Sequence, residues 1–224
     1  MKHLAIIMDG NRRYATDQWI SVAAGHTAWA KTAQAVVNLA HQAWIGYITL
    51  WGLSTENLQK RSTWEVANLI KILIWAPEHA KEIMSKWGKI ELIGDIEKLP
   101  LPARKVLQKL VEETKNNTGI VIILALVYGW KNEIIRWIQK FINEWWDVDS
   151  LNEENFWSYL DTGKYPAPDM IVRTWWDTRH SWFLLYQSDY SEYYFTEKKW
   201  PEFDQTEFQK VLKTFSQSKR NFWK

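Results

Sequence analysis

The chain has 224 residues, 46% hydrophobic and 24% charged, with a formal net charge of +2. That length suits one domain with a sizeable core, and the near-neutral balance excludes the strong field expected of a nucleic-acid binder. The absence of cysteine excludes disulfides and thiolate chemistry and is compatible with a reducing compartment.

The first apolar run, HLAIIMD (3–9), reads as a strand. It is too short for a signal peptide or a membrane span, so a soluble, cytoplasmic protein is expected. In HTAWAKTAQAVVNLAHQA (26–43), Ala33, Val36, Val37 and Ala40 fall at helical spacing. IGYITLWGLS (45–54) is a second strand. A long helix is predicted over 62–87, with Ser62 and Glu65 as a capping box. KIELIGD (89–95) is a strand, 101–117 a helix, IVIILALVYG (120–129) a strand and 131–144 a helix. Residues 145–168 are the loosest stretch and read as a surface excursion. DMIVRT (169–174) is a further strand, and 204–222 a closing helix.

Near-continuous apolar strands suit a parallel sheet covered on both faces. Their alternation with helices predicts a single α/β domain over 1–224, with a mostly parallel sheet of about six strands. Ligands of such sheets bind beyond the carboxyl ends of the strands. The polar clusters MDGNRR, STEN, YGWKNE and RTWWDTR each follow a strand.

In DGNRR, Asp9 is a carboxylate of the kind that holds Mg²⁺ with a diphosphate. Gly10 and Asn11 permit a turn that aims N–H groups at anionic oxygen, and Arg13 can bind phosphate bidentately. Alone, the pentapeptide reads rather as a turn opening a helix with solvated arginines. Arg173, Arg179 and Ser181 follow a buried strand, with Glu192 beyond. A buried arginine requires an anionic partner, which nearby carboxylates or a bound diphosphate could supply. The stripe Tyr186, Tyr190, Tyr193 and Tyr194 reads as core packing. No phosphate loop, dinucleotide fingerprint or zinc motif is present.

Taken in order, HLAIIMDGNRR, AGH, TLWGLSTEN, LIGD, YGWKNEI, DMIVRT and RHSWFLLYQSDYSEYYFTEKKWPEF resemble the motifs of the cis-prenyltransferases, the undecaprenyl diphosphate synthase family, across nearly the whole chain. The resemblance implies a Mg²⁺-dependent enzyme that condenses isopentenyl diphosphate onto an allylic diphosphate, giving a long polyprenyl diphosphate for a lipid carrier. It implies Asp9 as the essential metal-linked carboxylate. Gly10, Asn11, Arg12 and Arg13 would surround the allylic diphosphate, with His26 nearby. Ser54 would join the substrate-binding residues, and Asn57 would help to organise the reacting centre beside Asp9. Arg173, Arg179 and Ser181 would bind the diphosphate of isopentenyl diphosphate, and Glu192 would assist the metal, from a partner-facing side. A homodimer, peripheral membrane contact and an apolar tunnel between the sheet and helices 26–43 and 62–87 are also implied. The alternatives are a non-catalytic partner subunit of the same family, which would tend to lose these residues, and an α/β nucleotide-binding protein, which has no motif to support it.

The chain departs from the family pattern in places. Arg12 stands where glycine is common, Leu58 where tryptophan is, and Val22 where an arginine often supplies a diphosphate contact. The family has glycine at Trp19, Trp29, Trp44, Trp130, Trp175, Trp176 and Trp223, and in some members at Trp137 and Trp182. The chain has 17 tryptophans and 9 glycines, where average usage gives roughly 16 glycines. A chain whose UGA codons mean glycine, translated with UGA as tryptophan, has this signature. RTWWDTRHSW is therefore expected to be natively RTGGDTRHSG, and Trp145–Trp146 a glycine pair. Trp51, Trp75 and Trp200 are expected to be genuine.

Overall fold

Strand and helix alternate as the apolar runs require. A computed structural model describes residues 1–60, 87–144 and 147–218. The strands are β1 (His3–Ile7), β2 (Tyr47–Ser54), β3 (Lys89–Ile93), β4 (Val121–Tyr128), β5 (Met170–Thr174) and β6 (Glu192–Thr196). All pairings are parallel, in the order β3-β4-β2-β1-β5-β6. β6 lies inside the stretch whose tyrosines read as core packing. As a half-exposed edge strand, it lacks the continuous apolar run that betrays the inner strands.

Among the described residues the helices are α1 (Asn11–Asp17), α2 (Val22–Gln42), α3 (Thr55–Lys60), α4 (Leu101–Thr114), α5 (Trp130–Asn143), α6 (Glu153–Phe156) and α7 (Gln205–Gln217). α2 starts four residues before its predicted position because Ser21 caps it, accepting from the Ala24 N–H at 3.2 Å. Asp204 caps α7 in the same way, through the Glu207 N–H. The loose stretch 147–168 holds only short helical turns, among them α6. The predicted helix 62–87, and with it the second wall of the expected tunnel, lies outside the described residues.

The two-residue period of the strands divides the core. Leu4 and Ile6 of β1 face Val36, Val37 and Ala40 of α2 and Phe208 and Val211 of α7. Ala5 and Ile7 face the opposite way, toward Tyr165, Phe183 and Leu184. α4 packs Ala103, Leu107 and Leu110 against β3 and β4. The chain lays down β1, β2 and the edge strand β3, inserts β4 between β2 and β3, then crosses to the other side of β1 to lay down β5 and β6. The carboxyl ends of β1 and β5 therefore meet at the point where the winding reverses, the usual place for a ligand in an open α/β sheet.

α1 and α2 end alike. Trp19 N–H reaches Thr16 O and Ile20 N–H reaches Ala15 O, while Trp44 N–H reaches His41 O and Ile45 N–H reaches Ala40 O. This paired bonding closes a helix through a left-handed residue that is usually glycine. Trp19 and Trp44 hold that place, at φ 52° and 57°. Their rings are 96% and 92% exposed, so packing does not offset the strain.

Candidate active site

β1 stays in register with β5 as far as Ile7 and Arg173. Past that level the chain turns through Met8, Asp9 and Gly10. Gly10 has φ 92°, and a Cβ there would lie 2.9 Å from Lys199 Cβ, so two constraints favour glycine. α1 opens at the next residue. Asn11 Nδ2 donates to Met8 O at 3.0 Å, which leaves Asn11 Oδ1 buried without a partner. Farther along, Gly25 brings α2 close to α1, since a Cβ on Gly25 would touch Ala15 Cβ at 3.1 Å.

Arg173 is the hub. Its side chain is 5% exposed. Nη2 donates to Asp9 Oδ2 and Asp177 Oδ2, both at 2.9 Å, and Nη1 donates to Ser181 Oγ at 2.8 Å and to Arg179 O. Its Nε is buried without a partner. Arg179 is largely exposed and pairs with Asp177 at 2.6 Å. The guanidinium thus collects Asp9 from one strand end and Asp177, Arg179 and Ser181 from the loop after the next. Trp175 and Ser181 in that loop hold φ 68° and 53°. The Lys199 ammonium lies 5.1 Å over the Trp175 ring.

Thr174, the last residue of β5, is fully buried. Its hydroxyl accepts from the Asp9 N–H at 2.8 Å and lies 2.8 Å from Asp9 O. Thr174 and Asp177 are the site residues that sequence reasoning missed. A hydroxyl closing an apolar strand gives no pattern of its own. Asp177 had a signal, four residues after a buried arginine.

The remaining predicted residues divide. Ser54 closes β2, the other neighbour of β1, and its Oγ accepts from the Asn57 N–H at 2.9 Å; it caps α3 and so orients Asn57. Arg12 and Arg13 are exposed on α1. His26 lies in α2, with its side chain outside the described set. Glu192 is the exception. It opens β6 in register with Met170, whereas Arg173 aligns with Phe195. Three residues, roughly 10 Å along the sheet, separate it from the level of Arg173. One chain does not bring Glu192 to Asp9.

A second polar centre anchors the far end of the Arg179–Ser181 loop. Buried Glu133 accepts from Tyr128 Oη at 2.7 Å, Gln187 Nε2 at 2.9 Å, and both the N–H and Oγ1 of Thr162 at 3.1 Å. Burial pushes its carboxyl pKa up, and these hydrogen bonds only partly oppose the rise.

The Asp9 side chain is 43% exposed. Its Oδ2 is held by Arg173, while its Oδ1 receives only a 3.3 Å contact from the Gly10 N–H. Among the described residues no group of three acidic or histidine side chains forms a metal cage. Mg²⁺ is commonly bound by one or two carboxylates plus substrate phosphates and water, so the open Asp9 oxygen suits it. Guanidinium, hydroxyl and a helix start beside Gly10 together suit an anionic substrate.

Comparison with known proteins decides the lineage. The family described as undecaprenyl diphosphate synthase matches residues 7–223. The chain belongs to that family. An isoprenyl transferase of Clostridium perfringens is 36% identical over 99% of this chain and 89% of its own. One from Aquifex pyrophilus is also 36% identical, over 99% and 95%. Lavandulyl diphosphate synthase from Lavandula x intermedia, solved with dimethylallyl diphosphate, superposes with a TM-score of 0.92 at 28% identity, covering 98% and 97% of the two chains. A probable undecaprenyl diphosphate synthase from Campylobacter jejuni gives 0.80 at 30% identity, covering 99% and 98%. The chain is thus a cis-type prenyltransferase with the family fold. No described helix is long and apolar enough to cross a membrane.

Proposed function

We propose that this enzyme condenses isopentenyl diphosphate onto an allylic diphosphate, such as farnesyl diphosphate, to build a long cis-polyprenyl diphosphate. The observation that carries this reading is the convergence of Asp9, Arg173 and Ser181 where β1 and β5 end together. Gly10, Asn11, Arg12 and Arg13 bind the allylic diphosphate, with His26 beside it. Arg173, Arg179 and Ser181 bind the diphosphate of the second substrate. Its arrival replaces the Asp9 and Asp177 oxygens around Arg173 with phosphate oxygens, the trade a buried guanidinium favours.

The allylic C–O bond breaks, and charge grows on the leaving diphosphate. Fixed N–H and guanidinium donors stabilise that charge without reorganising. The C=C bond of isopentenyl diphosphate attacks the allylic carbon, and loss of a proton completes the unit. Asn57, oriented by Ser54, helps to organise the reacting groups. Asp9 would hold Mg²⁺, which would supply electrostatic stabilisation of the leaving group. Glu192 reaches a metal only across a homodimer, from the second copy. The product is hydrophobic, so peripheral contact with a membrane completes the reading.

The test is incubation with farnesyl diphosphate, labelled isopentenyl diphosphate and Mg²⁺, using protein carrying glycine at every UGA codon. Labelled long-chain product is expected. A well-folded sample that makes none rejects the proposal. Asp9→Ala is expected to abolish turnover, and retained activity would remove Asp9 from its assigned role.

A further inference from the structure

We infer that the Thr174 hydroxyl is a positioning residue that sets the Asp9 carboxylate, an inference that rests on the function proposed above. The ladder between β1 and β5 ends at Ile7 and Arg173. Asp9, which must turn toward substrate, lies beyond it. There a side chain takes over the work of a strand. Thr174 Oγ accepts from the Asp9 N–H at 2.8 Å and donates to Asp9 O at 2.8 Å, with Ile7 O a weaker alternative at 3.4 Å. One fully buried hydroxyl thus pins both backbone polar groups of the residue that carries the chemistry. The Asp9 backbone has two further contacts. Its N–H also approaches Ile7 O at 3.1 Å, only two residues back, and its O receives the Trp200 N–H at 2.9 Å. The side chain is held by Arg173 at 2.9 Å and by a longer 3.3 Å contact from the Gly10 N–H, and incoming diphosphate competes for that guanidinium. When Arg173 turns to substrate, Thr174 still fixes where the Asp9 Cα–Cβ bond points.

Thr174→Val keeps shape and removes the hydroxyl, and Thr174→Ser restores the hydroxyl without the methyl group. Thr174→Val is expected to lower kcat by about 10²-fold, the loss that follows from displacing a reacting group by about 1 Å. Its KM for isopentenyl diphosphate should stay within about threefold of the parent, because Arg173 is untouched. Thr174→Ser should recover most of kcat. Two readouts do not need turnover. The Asp9 amide should exchange with solvent faster in Thr174→Val than in the parent or Thr174→Ser. Mn²⁺ binding with inorganic pyrophosphate, followed by paramagnetic relaxation, should weaken in Thr174→Val and vanish in Asp9→Ala. Equal impairment in Thr174→Val and Thr174→Ser, or unchanged kcat and Mn²⁺ affinity in a folded Thr174→Val protein, overturns the inference. A parent protein that makes no prenyl product overturns the proposed reaction instead, while amide exchange and Mn²⁺ binding still report on the clamp.

Discussion

Trp19, Trp44 and Trp175 hold φ of 52°, 57° and 68°, a region that costs an L-residue roughly 1–2 kcal/mol. All three were singled out from sequence as positions of family glycine. Trp19→Gly, Trp44→Gly and Trp175→Gly are each expected to stabilise the fold by about 1 kcal/mol, read as a higher urea midpoint. A lower midpoint at all three would reject glycine as the native residue. Trp137 behaves otherwise. It is helical, buried and packed against Phe141, Phe156 and Tyr159, so Trp137→Gly should lose about 4 kcal/mol through cavity and helix terms. At this scale, although its partner Asp177 was passed over, Arg173 was legible, because a buried arginine must find anions. Thr174 was not, because a hydroxyl on an apolar strand becomes informative only once its partner 165 residues away is known.

Between elements, buried polar groups act as fasteners. His3, on β1, binds Pro166 O at 2.7 Å and Thr49 Oγ1 at 2.8 Å. Burial lowers its pKa from 6.5 to about 4. The unfolded chain therefore takes up this proton in a pH range where the folded chain refuses it. Stability from His3 is complete above about pH 6.5 and falls as pH drops toward 4, by about 3 kcal/mol in all. Unfolding titrations should show this acid slope, and His3→Gln should flatten it. Glu133 ties α5 to the loop before β5 and the loop after it. Glu133→Ala leaves the Tyr128 hydroxyl and the Thr162 N–H without their acceptor, with Gln187 keeping only Thr162 Oγ1, and should destabilise the protein by about 3–5 kcal/mol, read as a fall in urea midpoint. The inner strands were legible from continuous apolar runs. β6 escaped because an edge strand of half-buried tyrosines resembles any aromatic stripe. α1 was legible only as a turn opening a helix at DGNRR, because seven polar-rich residues carry too little periodicity to give its extent.

For the whole molecule, strand order accounts for the position of the site, and the alternation of apolar runs was enough to predict a parallel α/β sheet of about six strands. The order itself was not readable, since pairing partners leave no local mark. The level of Glu192 along the sheet tests the proposed dimer. Asp9→Ala and Glu192→Ala proteins should each be nearly inactive, yet mixing and reassembling them should regenerate activity, because each mixed dimer contains one site with both carboxylates. A mixture as inactive as its parents would reject the shared site. The convergence on Asp9 also has a consequence for biosynthesis. Its backbone is secured by Thr174 and Trp200, so the second strand neighbour of β1 and the final anchor leave the ribosome long after β1 does. A nascent chain that has emerged only through β4 already holds Asp9 but nothing to aim its carboxylate. During translation the apolar flank of β1 must wait, open to other strands, for most of the chain to be made.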